Sequence, residues 1–199
     1  MCPDPLERKP ALTGVMDAMK TLILITGPLA AYKSTLARTL ARNHHVAAFT
    51  KDDFKEQLTE QLGAADRTVN LKLSVAAVRL LETAALSVLQ SQNVVLVEAN
   101  FKAEEIARFQ AVCEAQDIQL VCVQMTGEPK TLYARYLKRE ATRHPAHRSA
   151  GTMSLEMFTA SVNYYDTMPL PKPSFRYDTG TEATLLFTTI ATALTPYLQ

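Results

Sequence analysis

Six residues, Thr21–Thr26 (TLILIT), constrain this chain more than any other segment. The run is almost continuously apolar, rich in β-branched side chains, and it stops at Gly27. A strand with one wet face alternates apolar and polar residues. An unbroken apolar run of this length reads instead as a strand buried on both faces, as in a parallel sheet covered by helices. Val46–Thr50, Val94–Val97 (VVLV), Ile118–Met125 and Phe175–Asp178 repeat the theme. Helical spacing fills the intervals over Ser34–Arg42, Asp52–Leu62, Leu71–Gln90, Lys102–Ala115, Pro129–Ala141, Ser154–Tyr165 and Glu182–Leu198. Strands alternating with helices through short turns predict an α/β three-layer sandwich: a parallel five-stranded sheet with helices on both faces.

Composition removes several classes of function. The 21 Lys+Arg balance 20 Asp+Glu, which argues against a stable nucleic-acid complex. No apolar run approaches the roughly 20 residues that span a bilayer, so no membrane role is expected. Residues 1–20 carry three prolines and four charged side chains before Met16 (Asp4, Glu7, Arg8 and Lys9), with no apolar core of a secretory signal. They read as an N-terminal extension, with a short helix near Leu12–Met19, ahead of one domain over residues 21–199. Three cysteines make an odd count with no CxxC pair, which fits reduced thiols and a cytoplasmic protein. Pro169, Pro171 and Pro173 form a stiff connector within that domain.

The segment GPLAAYKST (Gly27–Thr35) lies between the first strand and the first helix, where a GxxxxGK[ST] phosphate loop uses a helix N-terminus as an anion site. Gly27 permits the sharp turn, and the backbone N–H groups of Ala30, Ala31, Tyr32, Lys33, Ser34 and Thr35 are positioned to wrap phosphates. Lys33 would neutralise β/γ oxygens and the Ser34 hydroxyl would hold Mg²⁺. Tyr32 departs from the motif: it stands where the second glycine is expected. The ring is expected to point away from the phosphates, because the donors there are backbone N–H groups. An ordinary strand–turn–helix with Lys33 and Ser34 on its surface is the competing reading.

Asp52 and Asp53 follow the second strand at the carboxyl edge of the sheet, where open α/β folds place ligands. A carboxylate there can take the proton of an attacking hydroxyl. That role is assigned to Asp52; Asp53 reads equally well as the cap of the following helix. Arg135, Arg139 and Arg143 are spaced four apart and share a helix face. Cations near a helix C-terminus are also favoured by its dipole. His144 and His147 are three apart, but no cysteine or acidic pair nearby completes a zinc set. Tyr177–Gly180 reads either as a loop against an adenine or as a capped turn. No motif names an acceptor in Phe54–Gln92 or Ala141–Tyr165, where the substrate pocket is expected.

GPLAAYKSTLARTLARN, FTKDDFKEQL and VVLVEANF together resemble phage-type polynucleotide kinase and the zeta-toxin-like and chloramphenicol-phosphotransferase-like kinases, over roughly residues 21–148. The resemblance implies a P-loop NTPase sandwich of the nucleotide-kinase kind, with ATP and Mg²⁺ as cofactors and a small-molecule or nucleotide hydroxyl as acceptor. It implies that Asp52 is the general base, that Lys55 stands at a substrate-contacting position, and that Glu98 is the Walker-B-like acid beside the metal. Arg139, then Arg135, then Arg143 would clamp phosphates, and RHPAHR (Arg143–Arg148) would belong to a lid over about 141–153. His147 or Arg148 would reach substrate. Asn100 contacts substrate or supports its turn. The resulting expectation is an ATP-dependent phosphotransferase acting on a hydroxyl. Narrower versions are a zeta-toxin-type nucleotide-sugar kinase or a polynucleotide 5′-hydroxyl kinase. A nucleotide-binding protein without catalysis is the alternative that Tyr32 raises.

Overall fold

A computed structural model describes residues 19–63, 66–140, 142–147, 153–180 and 182–198. The extension before Met19, with most of its expected short helix, lies outside the described residues. So do Arg148 and residues 141 and 149–152 of the expected lid.

Five strands form one parallel sheet: β1 (Thr21–Thr26), β2 (Ala47–Thr50), β3 (Val94–Glu98), β4 (Gln119–Thr126) and β5 (Ser174–Asp178), in the order β2-β3-β1-β4-β5. β1 is central and all six of its residues are buried. Because strand side chains alternate between faces, the run splits in two. Ile23 and Ile25 enter one core with α1 (Lys33–His44), α5 (Pro129–Glu140), α6 (Leu155–Thr167) and α7 (Ala183–Leu194). Leu22 and Leu24 enter the other, with α3 (Arg67–Val88) and α4 (Ala103–Ala115). The unbroken apolar pattern thus follows from helices covering both faces, and the expected sandwich is the fold found.

Most boundaries shift by one or two residues from expectation, and the two largest shifts have local reasons. α3 starts at Arg67, four residues early, because the Asp66 carboxylate accepts the Val69 N–H (2.9 Å) and caps the helix. α7 ends at Leu194, and a 3₁₀ turn over Thr195–Tyr197 follows, since Pro196 has no N–H to continue the α-helical ladder. α6 runs on to Thr167, past the expected end at Tyr165.

The register aligns the strand exits. Ile25 and Thr50 both lie beside Glu98, so the loops after β1, β2 and β3 leave the sheet side by side. That carboxyl edge is where this fold class places ligands.

Candidate active site

The turn out of β1 admits only glycine. Gly27 has φ 136°, and a Cβ there would lie 2.1 Å from the Met125 carbonyl oxygen of β4. The chain then passes through Ala30 (φ 61°) and Tyr32 (φ 56°), both left-handed, before α1 begins at Lys33. No side chain caps α1 and its first turn holds no acidic residue. By contrast Thr50, Asp66 and Ser154 cap α2 (Lys51–Leu62), α3 and α6. The first N–H groups of α1 thus have no side-chain partner among the described residues, and unlike those of the similarly uncapped α7 they open beside Lys33 and Glu98 at the carboxyl edge of the sheet.

Lys33 folds back over the loop. Its Nζ donates to the Pro28 carbonyl (2.7 Å) and stands 4.0 Å from Glu98 Oε1. Burial lowers the Lys33 pKa, against the opposing pull of Glu98 and Asp52. Glu98 is buried at the end of β3, and burial raises its pKa while Lys33 and the Ser34 hydrogen bond act the other way. The Ser34 hydroxyl donates to Glu98 Oε2 (2.7 Å). Two hard oxygen donors, one anionic, thus meet beside the phosphate loop, and this donor set suits a magnesium ion.

A cleft in two lobes surrounds these groups, and Lys33, Ser34, Asp52 and Arg139 line both. One lobe follows the loop past Tyr32 and Thr35 to Arg38. The other, about 280 Å³, runs between α2, α3 and α5 and holds Lys55, Asn100 and Arg143. Asp52 is half-exposed at the junction, where a proton acceptor between two substrates would sit.

Several expected roles change. Arg135 lines neither lobe: its guanidinium lies over the Tyr32 ring (4.5 Å) and donates to the Thr179 hydroxyl (3.1 Å) and carbonyl (3.0 Å). The loop after β5 competes for this arginine and holds it. Asp53 does not cap α2. The Thr50 hydroxyl accepts the Asp53 N–H (3.2 Å), and the Asp53 carboxylate pairs at the surface with Arg38 (2.8 Å). Arg143 reaches the cleft but shares its charge with Glu140 (3.4 Å). Asn100 also lines the cleft, and its backbone carbonyl accepts the Tyr165 hydroxyl (2.8 Å).

The two histidines dock on one face of α2. His147 meets Glu56 (2.9 Å) and stands 3.8 Å from Asp52, while His144 meets Glu60 (3.2 Å). Asp52, Glu56 and Glu60 recur every four residues, so a single helical stripe receives the turn Pro145–His147.

Sequence reasoning expected the pocket within Phe54–Gln92 but singled out none of Arg67, Asn70, Leu71 and Ser74, which all line the lobe that holds Lys55 and Arg143. Their spacing of i, i+3, i+4 and i+7 was the available signal once Asp66 is taken as a cap.

Residues 22–160 match the family described as AAA domain, which is more than half of the chain. The chain belongs to that AAA-domain family. Among curated protein sequences none matches significantly. Solved structures extend the likeness to nearly the whole AAA-domain chain. A proposed kinase from Chloroflexus aurantiacus is 26% identical with a TM-score of 0.75, covering 91% of this chain and 100% of that one. The APS kinase of Mycobacterium tuberculosis, solved with AMPPNP and APS, is 16% identical with a TM-score of 0.59 (90% and 98% covered). A gluconokinase from Sinorhizobium meliloti is 13% identical with a TM-score of 0.56 (90% and 94%). At those lower identities the likeness establishes the fold: a small P-loop kinase sandwich. Among the described residues no helix is long and apolar enough to cross a membrane.

Proposed function

We propose that this AAA-domain chain is an ATP-dependent kinase that transfers the γ-phosphoryl group to a hydroxyl of a small acceptor. One observation carries the reading: Lys33, Ser34, Asp52 and Arg139 converge where the two lobes of the cleft meet.

The uncapped N-terminus of α1 and the wrapped loop bind and orient the phosphates. The acceptor hydroxyl, in the second lobe, gives its proton to an Asp52 carboxylate oxygen as its own oxygen forms the new bond to the γ-phosphorus. The bond from that phosphorus to the β,γ-bridging oxygen breaks, and ADP leaves with the electron pair. Lys33 and Arg139 stabilise charge spreading over the transferring oxygens. Ser34 and Glu98 would hold magnesium, which when bound neutralises the β- and γ-phosphate oxygens. A lobe of about 280 Å³ is near the small end of ligand pockets, roughly 300–1,000 Å³, and favours a compact acceptor over a polynucleotide.

Purified protein with ATP and magnesium, screened against sugars, nucleosides, nucleotide sugars, antibiotics and 5′-hydroxyl oligonucleotides, tests the reading. ADP release that depends on an acceptor supports it. Thermal stabilisation by ATP with no turnover on any hydroxyl would instead favour a non-catalytic nucleotide-binding protein.

A further inference from the structure

We infer that the acceptor lobe is built for an anionic compound, with Lys55 at the centre of a subsite for a phosphate or carboxylate group. The identity of that lobe as the acceptor's rests on the kinase reading above; the anion subsite does not.

Lys55 is 7% exposed and lines the lobe. Its ammonium makes one hydrogen bond among the described residues, to Asn70 Oδ1 (2.7 Å), and no described carboxylate lies within ion-pairing distance. Asn70 is itself buried, and its Nδ2 donates to the Ala146 carbonyl (2.9 Å), which turns the amide oxygen towards Lys55. The ammonium is thus held in place by one of its three N–H donors, and the other two meet no acceptor among the described residues. A buried charge is retained at a cost unless a counter-charge arrives.

The surroundings add to that cost. Lys51 stands at i−4 on the same helix, a like-charge spacing that destabilises a helix, and Arg143 faces Lys55 from the segment after α5. Burial, Lys51 and Arg143 all lower the Lys55 pKa, and Asp52 opposes them. Arg67 adds a fourth cation from the first turn of α3. These four lie beyond the phosphate-loop lysine and Arg139; Arg143 is partly offset by Glu140, and the lobe's own acidic residues, Asp52 and Glu98, already serve the hydroxyl and the metal. Cations from three elements around one buried ammonium match an anionic group on the molecule that enters.

The uncapped α1 N-terminus would also take phosphate, so it must first be filled. Protein saturated with AMPPNP and magnesium is titrated calorimetrically with inorganic phosphate and, separately, with acetate. Wild type is expected to bind at least one, and the stronger of the two names the group. Lys55→Met is expected to weaken that binding at least tenfold, with unchanged AMPPNP affinity reporting an intact fold. Lys55→Arg retains the charge and should restore part of the binding. The exposed Arg67→Gln should weaken it severalfold without threatening the core. Absence of binding to both probes in wild type overturns the inference, as does wild-type affinity in Lys55→Met. Anion binding without phosphorylation of any hydroxyl compound upholds the subsite and removes the kinase reading instead.

Discussion

The guanidinium of Arg135 lies over the ring of Tyr32, 4.5 Å from its centroid, and so braces the residue that stands in the second glycine position of the phosphate loop. Tyr32 adopts φ 56° and ψ 16°, the left-handed conformation that explains why glycine is usual there. For a residue with a Cβ that conformation costs about 1–2 kcal/mol. A cation–π contact returns about 0.5–1 kcal/mol, more where water is excluded. The loop therefore keeps the backbone path that glycine would give, and the aromatic ring is held by Arg135.

Tyr32→Gly relieves the strain and loses the stack, so its stability should lie within about 1 kcal/mol of wild type. Its nucleotide affinity should change by less than about threefold, since a glycine at that position offers the same backbone N–H. Tyr32→Val, a β-branched residue forced into the same conformation, should lose about 1–2 kcal/mol. Urea denaturation and AMPPNP titration of the two variants check both statements. A large loss of nucleotide affinity in Tyr32→Gly would show that the ring itself contributes to binding.

The three arginines of α5 and its extension share one spacing in the sequence, with Arg139 expected at the phosphates first and Arg135 second, and the fold separates these two. Arg135 is held by Thr179 and Tyr32, while Arg139 lines both lobes of the cleft. Arg135→Ala should therefore lower stability by about 1–2 kcal/mol and leave kcat within severalfold. Arg139→Ala should lower kcat by on the order of 10² or more with little change in stability. Chemical denaturation and steady-state kinetics on both variants give the comparison. The opposite pattern would return Arg135 to the phosphates.

What the sequence could carry, and what it could not, divides along contact range. Apolar runs reveal strands because burial on both faces is written locally, one residue after another. The loop after β1 is legible for the same reason: strand, glycine, lysine and serine are neighbours in the chain. Arg135 is different, since its partner Thr179 lies 44 residues away on a loop whose approach no local pattern announces. The docking of His144 and His147 on α2 is equally non-local, spanning 91 residues from Glu56 to His147. Asp53 was obscured by a nearer competitor: Thr50, three residues earlier, provides the capping oxygen.

Lys33→Met should abolish phosphoryl transfer and weaken AMPPNP binding by at least tenfold while the far-ultraviolet circular dichroism stays unchanged. Lys33 is anchored by Pro28 and sits beside Glu98, at the mouth of the uncapped helix. Retention of wild-type affinity and turnover would remove the phosphate-loop assignment.

Cys113 and Cys122 are both buried, and burial pushes each thiol up to about 12. At pH 8 the folded protein should therefore protect both from iodoacetamide, and unfolding in guanidinium should expose them. Peptide mapping after timed alkylation measures this. Rapid labelling of Cys122 in the native protein would mean that the sheet opens locally around β4.

Asp52→Asn should lower the transfer rate far more than it lowers ATP affinity. Asp52 is half-exposed where the two lobes meet, and it contributes to the electrostatic environment of Lys33. An amide keeps the shape and can still accept a hydrogen bond, but it cannot take the proton. Loss of a general base typically costs on the order of 10² to 10⁴ in rate, or about 3–5 kcal/mol of barrier. Phosphate binding rests mainly on the loop and on the α1 N-terminus, so the dissociation constant for ATP should move by less than about threefold. Asp53→Asn is the matched control. Its carboxylate lies at the surface against Arg38, an exposed ion pair that contributes little, and the capping oxygen of α2 belongs to Thr50 and is untouched. Near-normal kinetics are expected for that variant. Both are to be measured under single-turnover conditions with an accepted hydroxyl, so that product release does not mask the chemical step. An inactive Asp53→Asn beside an active Asp52→Asn would move the base to Asp53, which lines the phosphate-loop lobe beside Arg38.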